Sequence, residues 1–239
     1  MRIWVQSNTA LRADSMWRDY TVALEAHMNN VKRPGSEVRV EGVAKMERDV
    51  EGSAFRRHVN VRQVLDCGMQ AQQEGYDAYV MVGMGTAGYE ELRDLLDIPV
   101  VYAEAVAWNV AVWQYQRFGL IGHDATVYFR RVEQIRVHGS QQFFVPGDYC
   151  EFGERDVVAA FRDPAAMVKA FEASAARSVR DGARVLIPDF NVLNDFLYTA
   201  GGRAFHGVPV MDTGGMALKA AEWLVDAREA GLLSRREGR

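Results

Sequence analysis

Ala78-Tyr79-Val80-Met81-Val82 is a compact apolar run, and Gly83-Met84-Gly85-Thr86-Ala87-Gly88 follows it directly. The run has the make-up of a buried strand, and the glycines end it. Glu90–Leu96 then reads as a short helix and Pro99–Tyr102 as another strand. Strand, turn, helix and strand make the repeating unit of a parallel α/β sheet. The pattern comes back later in the chain. Asp181-Gly182-Ala183-Arg184-Val185-Leu186 echoes Glu74-Gly75-Tyr76-Asp77-Ala78-Tyr79-Val80, and the pairs Pro99-Val100 and Pro209-Val210 lie about 110 residues apart. Either a duplicated half-domain or the general likeness of βαβ units to one another explains the echo. On the first reading Gly83–Tyr89 and Pro188–Asn191 are equivalent loops, and both lie beyond the carboxyl end of a strand, where open α/β sheets hold their ligands.

Outward from these units the alternation continues. Ile3–Gln6, Glu37–Val43, Gly119–Gly122, Phe143–Val145, Arg184–Ile187 and Pro209–Met211 read as strands or extended segments. Leu11–Asn29, Val59–Gln73, Ala105–Gln116, Thr126–Val137, Pro164–Arg180, Leu193–Tyr198 and Met216–Ala230 read as helices. The fold class expected is α/β, with parallel sheets covered by helices on both faces.

The chain has 239 residues, is 49% hydrophobic and 25% charged, and carries a formal net charge of -4. It is long enough to bury a core without metal or disulfide staples. Charges of both signs are interspersed, so no basic face for nucleic acid is expected. Two isolated cysteines, Cys67 and Cys150, make no disulfide framework and fit a reducing compartment. No secretory signal or membrane span is apparent, so the expected location is cytoplasmic, with no membrane partner.

The Gly83–Gly88 loop fits G-x-G-x-x-G, with Glu104 placed 16 residues beyond at the end of the next strand. Three readings stand. The loop binds a nucleotide, making the chain an NAD(P)-dependent enzyme with Glu104 as the ribose-binding acid. Its backbone N–H groups bind a carboxylate. Or it is a tight turn. None of the five histidines shows metal-ligand spacing. His123 and Asp124 are expected as a surface pair, with Asp124 capping the following helix, and His206 as a solvated loop residue. Asp189 follows Leu186-Ile187-Pro188 directly. It is either a partly desolvated base or nucleophile, or the N-cap of the next helix. Tyr102 and Phe190, at strand exits, are candidates for a pocket wall.

These segments, taken in order, resemble the Asp/Glu/hydantoin racemase superfamily. Ala78–Val106 is similar to its first half and Val185–Glu222 to its second, while Ser7-Asn8-Thr9 fits its opening. The resemblance implies two pseudo-symmetric α/β domains with mostly parallel four-stranded sheets and the active site in the cleft between them. The first domain would comprise residues 1–112 plus 216–239, and the second 113–215. Such racemases place one cysteine on each loop, on opposite faces of the substrate carbon, and use no cofactor. Here the first position falls on Gly83 or Gly85 and the second on Asp189. Glycine supplies no acid–base group, which argues against two-base racemisation. The arylmalonate decarboxylase branch, with glycine on its first loop, offers a closer analogy. By that analogy Thr86 matches a hydroxyl position, Ala87 replaces a second hydroxyl, and Tyr128 helps form the pocket.

The implied function is a cofactor-independent decarboxylase or other lyase, isomerase or C–N hydrolase, possessing one-sided chemistry. Its substrate would be a small carboxylate or cyclic amide. Asp189, Thr86 and Tyr128 would carry catalysis, and Asn8, Gly83, Gly85, Ala87, Tyr102, Glu104, Phe190 and Asn191 would line the substrate site. A non-catalytic small-anion binder on the same scaffold is the alternative. A homo-oligomer is compatible with either.

Overall fold

The computed structural model describes residues 1–47, 52–83 and 87–233. The elements run β1 (Arg2–Ser7), α1 (Arg18–Val31), β2 (Glu37–Glu41), α2 (Ala54–Gln73), β3 (Ala78–Val82), α3 (Tyr89–Leu95), β4 (Val100–Tyr102) and α4 (Ala103–Tyr115). They continue with β5 (Phe118–Gly122), α5 (Ala125–Val137), β6 (Phe144–Tyr149), α6 (Glu154–Ala159), α7 (Ala165–Arg180), β7 (Val185–Pro188), α8 (Asn191–Ala200), β8 (Ala204–Phe205), β9 (Val208–Pro209) and α9 (Thr213–Glu229).

The first sheet has the order β2-β1-β3-β4 and is parallel throughout. All five residues of β3 are buried, as a central strand covered on both faces requires. β2 lies at the edge, and its run of Glu37, Arg39 and Glu41 leaves it partly solvated. The second sheet has the order β6-β5-β7 and is also parallel. Pro146 is tolerated because β6 is an edge strand. The register slips between Gly119 and Ile121, and there Gly147 comes so close to Leu120 that a Cβ would lie 2.1 Å from its carbonyl oxygen.

The second sheet has three strands where four were expected. The segment read as a strand at Pro209–Met211 instead pairs antiparallel with β8 through β9, and only Val210 bridges to Leu186 in parallel. Pro209 has no N–H to give a ladder. The Val210 N–H goes to the Arg203 carbonyl at 2.9 Å, and only Met211 donates to Leu186, at 2.8 Å. The chain then turns into α9 at Asp212, which caps the helix through the Gly215 N–H.

The echo seen in sequence has a counterpart in register. Tyr79 of β3 pairs with Val100, and Leu186 of β7 bridges to Val210. The central strands β1 and β5 are likewise followed by Asn8 and His123 at matching points, since Ile3 pairs with Ala78 while Phe118 pairs with Val185. α9 packs against α4, β3, β4 and α1, burying Ala217, Leu218, Ala221 and Val225. Arg33, beyond α1, fastens to it by a twofold ion pair with Asp226 at 2.7 and 2.9 Å and by its N–H to Glu222 at 2.8 Å. Small residues dominate the buried side of α4, where Ala103, Ala105, Ala107 and Ala111 let it approach both α9 and the second sheet.

Candidate functional site

The carboxyl ends of β3 and β7 approach each other. Gly83, just past β3, has a φ of +73°, and a Cβ built on it would meet the Asn191 Cβ at 3.5 Å. The left-handed backbone alone favours glycine there, independently of any ligand. A cysteine at this position would be strained, so of the two placements offered by the sequence, Gly83 is the poorer. Gly85, together with Thr86, lies outside the described residues, as does the middle of the glycine-rich loop.

Asp189 is fully buried at the exit of β7. Its N–H donates to Ile121 at 3.0 Å, which fixes the loop to β5. Its carboxylate accepts from the His123 backbone N–H at 3.2 Å and from His123 Nδ1 at 3.1 and 3.2 Å. His123 Nε2 faces Asp124 Oδ2 at 3.1 Å. Burial pulls the His123 pKa down, but the Asp189 charge and the bonds to Asp124 and Asp189 outweigh it and raise it to about 10. The ring is therefore an imidazolium between two carboxylates, stacked on Phe190 at 4.4 Å. Asp124 caps α5 through Val127, as expected, but His123 is buried rather than on the surface. Gly122 makes this geometry possible: a Cβ there would lie 2.8 Å from the Tyr128 Cβ, 3.0 Å from the Tyr149 Cβ and 3.1 Å from Asp189 Oδ2.

A second buried pair adjoins the first. Arg131, on α5, donates from Nε to the Asp189 carbonyl at 2.8 Å and from Nη1 to Gln134 at 3.0 Å. Its Nη2 lies 3.6 Å from Glu104 Oε1, in the first turn of α4. Both Glu104 oxygens and Arg131 Nη2 are buried without a hydrogen-bond partner among the described residues. Burial raises the Glu104 pKa, Arg131 opposes the rise, and the Asp189 charge adds to it, leaving it at about 7.

A third polar chain runs inward from Asn191. Its Nδ2 donates to Tyr20 Oη at 3.0 Å and to Asp195 Oδ2 at 2.6 Å. Asp195 Oδ1 accepts from His27 Nδ1, and His27 Nε2 donates to Asp212 at 2.8 Å. Burial lowers the His27 pKa, but the bonds to Asp195 and Asp212 prevail and raise it to about 9. This chain ties α1, α8 and the cap of α9 together behind the site.

Solved structures give the fold its name. An allantoin racemase from Pseudomonas fluorescens is 23% identical, with a TM-score of 0.79 over 100% of this chain and 95% of that one. The chain has the fold of the Asp/Glu/hydantoin racemases. Allantoin racemase from Klebsiella pneumoniae shares this racemase fold at 18% identity and a TM-score of 0.76, over 100% of this chain and 91% of the other. A glycine-to-cysteine variant of arylmalonate decarboxylase, in a sulfate-associated form, shares it at 16% identity and a TM-score of 0.60, over 100% and 97%. No family model and no curated protein matches the sequence.

On this racemase fold, Asp189, Phe190, Asn191 and Gly83 come together, and Glu104 joins them through Arg131. Tyr128 lies beside Asp189 across Gly122, with its phenolic oxygen accepting from the Gly147 N–H at 2.9 Å. Asn8 turns its side-chain oxygen to Asn60 of α2. Tyr102 is fully buried, donating to Gln134 at 3.2 Å and packing edge-on to Trp108. Ala87 begins the turn into α3. Cys67 sits in α2 with its pKa pushed up to about 11, and Cys150 follows β6 with its own at about 12, both chiefly by burial. Each is a thiol near neutrality, not a thiolate.

Sequence reasoning missed His123 as a site residue, along with Arg131 and His27. For His123 a signal existed, because the echo between the halves makes it the counterpart of Asn8. Arg131 and His27 lie in helices with no local mark of burial. Among the described residues no cluster of three or more His, Cys, Asp or Glu is arranged to hold a metal ion, and no helix is long and apolar enough to cross a membrane.

Proposed function

We propose that the protein is a cofactor-independent enzyme that moves a proton on a small carboxylate or cyclic amide, with Asp189 as its acid–base group. The observation that carries this reading is the Asp189–His123 pair, an ionisable dyad buried at the exit of β7, where Asp189 stands two residues before Asn191, which meets Gly83 of the facing loop. His123 orients the carboxylate through two separate donors and holds a balancing positive charge. Phe190 keeps the imidazolium in place by stacking. Gly85 and Thr86 of the first loop would supply donors for a carboxylate or developing oxyanion, and Tyr128 would close that side. Structural neighbours are named racemases and a decarboxylase, and proton transfer at carbon is compatible with those names. Among lyase, isomerase and hydrolase reactions, those that begin or end with proton transfer at carbon fit the dyad best. Asp189→Asn preserves shape and removes the charge. Assayed on malonates, amino dicarboxylates and hydantoins, it is expected to lose turnover while remaining folded, with a lowered melting temperature because His123 loses its buried partner. Near-normal turnover sinks the assignment.

A second reading has one observation in its favour. Both Asp189 oxygens are already engaged by His123, as in a structural pair. On that reading the protein binds a small anion without transforming it. Ligand-induced thermal stabilisation without turnover across the same compounds distinguishes it.

A further inference from the structure

We propose that the outer face of α4, with Trp223 of α9 beside it, is the surface on which two copies of this chain pair about a twofold axis. The pairing is independent of the chemistry assigned to Asp189.

The composition of α4 comes first. From Ala105 to Gln116 the sequence reads Ala-Val-Ala-Trp-Asn-Val-Ala-Val-Trp-Gln-Tyr-Gln, without a charged residue. The one charge of the helix, Glu104, is buried. Helices that face water carry charges on their outer side, as α2 does with Arg62 and Asp66 and α5 with Glu133 and Arg136. A second helix with a single charge, α8, is enclosed: Asp195 is buried, and so is the rest of α8 up to its last turn. α4 has the make-up of an enclosed helix but an open outer face. Ala103, Ala107, Trp108 and Ala111 turn inward, Val106, Val110 and Val112 are half-buried, and Asn109, Trp113 and Gln114 are exposed. Trp113 is 79% exposed.

The neighbouring helix extends this face. α9 packs alongside α4. α4 begins directly after β4, and the start of α9 lies against Asn191, beyond β7, through Gly214. Both helices therefore run back from the carboxyl edges of the sheets. Trp113 and Trp223 each stand ten residues past the first residue of their helix, which is about 15 Å along it. Trp223 is 63% exposed. The charges nearest to it along α9, Lys219 and Asp226, are each paired within the chain, with Glu222 at 2.8 Å and Arg33 at 2.7 Å. Two tryptophans this exposed offer roughly 300 Å² of the about 800 Å² that each partner buries in a standard interface, and tryptophan is enriched at the centre of such contacts.

The lack of charge selects the occupant. A twofold contact sets a patch against its own copy, so any net charge on the patch meets its like. This patch carries none, and nothing on it would steer a partner of opposite sign. A second copy is the partner it fits. Residues 234–239 contribute three arginines and a glutamate, the wrong chemistry for an uncharged apolar face.

Sedimentation velocity over a range of protein concentrations tests the pairing. Wild-type protein is expected to move as a dimer at high concentration. Trp113→Glu is expected to weaken association about 30-fold or more, the scale of a central contact residue. Phe55→Glu, at an exposed apolar residue of α2, is expected to leave it unchanged. Should Trp113→Glu fail to fold, Asn109→Lys combined with Gln114→Lys carries the test, since both positions are exposed and lysine suits the second half of a helix. That protein is expected to be monomeric alone and to dimerise when mixed with Asn109→Glu combined with Gln114→Glu. Wild-type protein that stays monomeric throughout overturns the inference. A dimer that survives both Trp113→Glu and the lysine pair overturns it, as does one lost equally in Phe55→Glu. A wild-type monomer that pairs only after the chain is cut behind Leu233 overturns it too, and assigns the face to the chain's own tail.

Discussion

Arg131 grips Asp189 by its backbone, not its charge: the guanidinium Nε donates to the Asp189 carbonyl at 2.8 Å. The carboxylate is left to His123. Position and charge of one residue are thus set by two different partners, and the two can be separated by mutation.

Arg131→Lys keeps a positive charge near Glu104 but removes the planar fork that reaches the carbonyl. The expected result is a folded protein with weakened hold on the Asp189 loop. A double-mutant cycle with Glu104→Gln, followed by urea denaturation, should give a coupling of about 0.5–3 kcal/mol, since the residues share one buried network. Simple additivity would show that the 3.6 Å approach carries no energy.

Glu104 makes stability depend on pH in an unusual direction. Its folded pKa of about 7 lies above the ordinary 4.5, so the native state holds this proton more tightly than the unfolded chain. Its contribution is greatest below about pH 4.5 and falls as pH rises through 7. At 1.36 kcal/mol per unit the loss amounts to about 3 kcal/mol at most. Glu104→Gln should flatten the fall in melting temperature between pH 5 and 8. An unchanged slope would place the proton elsewhere.

The His27 chain carries a dependence in a different window. With its pKa raised from 6.5 to about 9, His27 contributes stability that is complete below pH 6.5 and lost as pH rises through 9. His27→Gln removes the cation from between Asp195 and Asp212. The expected cost at pH 7 is about 3 kcal/mol, the scale for breaking a buried pair. Chemical denaturation at pH 6, 7.5 and 9 should show the variant losing less over that range than wild type.

Gly122→Ala tests the packing beneath the dyad. The new Cβ would fall 2.8 Å from the Tyr128 Cβ and 3.1 Å from Asp189 Oδ2, and the first neighbour belongs to a helix that cannot swing aside. Overpacking of this kind costs about 1–3 kcal/mol. The denaturation midpoint should fall, and the NMR signal of the His123 ring should shift as its carboxylate partner is displaced. Wild-type values for both would mean that the cleft wall yields easily.

The alternation of apolar runs with amphipathic segments made the α/β fold legible, because central strands such as Ala78–Val82 have to be apolar on both faces. The echo between the halves was equally plain, and its register is matched in the sheets. The short antiparallel pair at Ala204–Pro209 was not, since two-residue strands leave no periodicity. Within the site, Asp189 and Glu104 were visible as acids at strand exits. Their partners were not. His123 beside Asp124 reads equally as a capped surface turn, and Arg131 in Tyr128-Phe129-Arg130-Arg131 looks like any solvated helical arginine. Burial of a charge depends on which helix lies opposite, and that is a property of the assembled chain.

Helix α9 covers the β3 and β4 side of the first sheet. During translation β1 to β4 emerge from the ribosome long before α9, and the face over β3 and β4 stays bare until α9 follows. The nascent first half must wait in an unfinished, sticky state for more than a hundred residues of synthesis. A premature stop upstream of Thr213 would leave that apolar face permanently exposed.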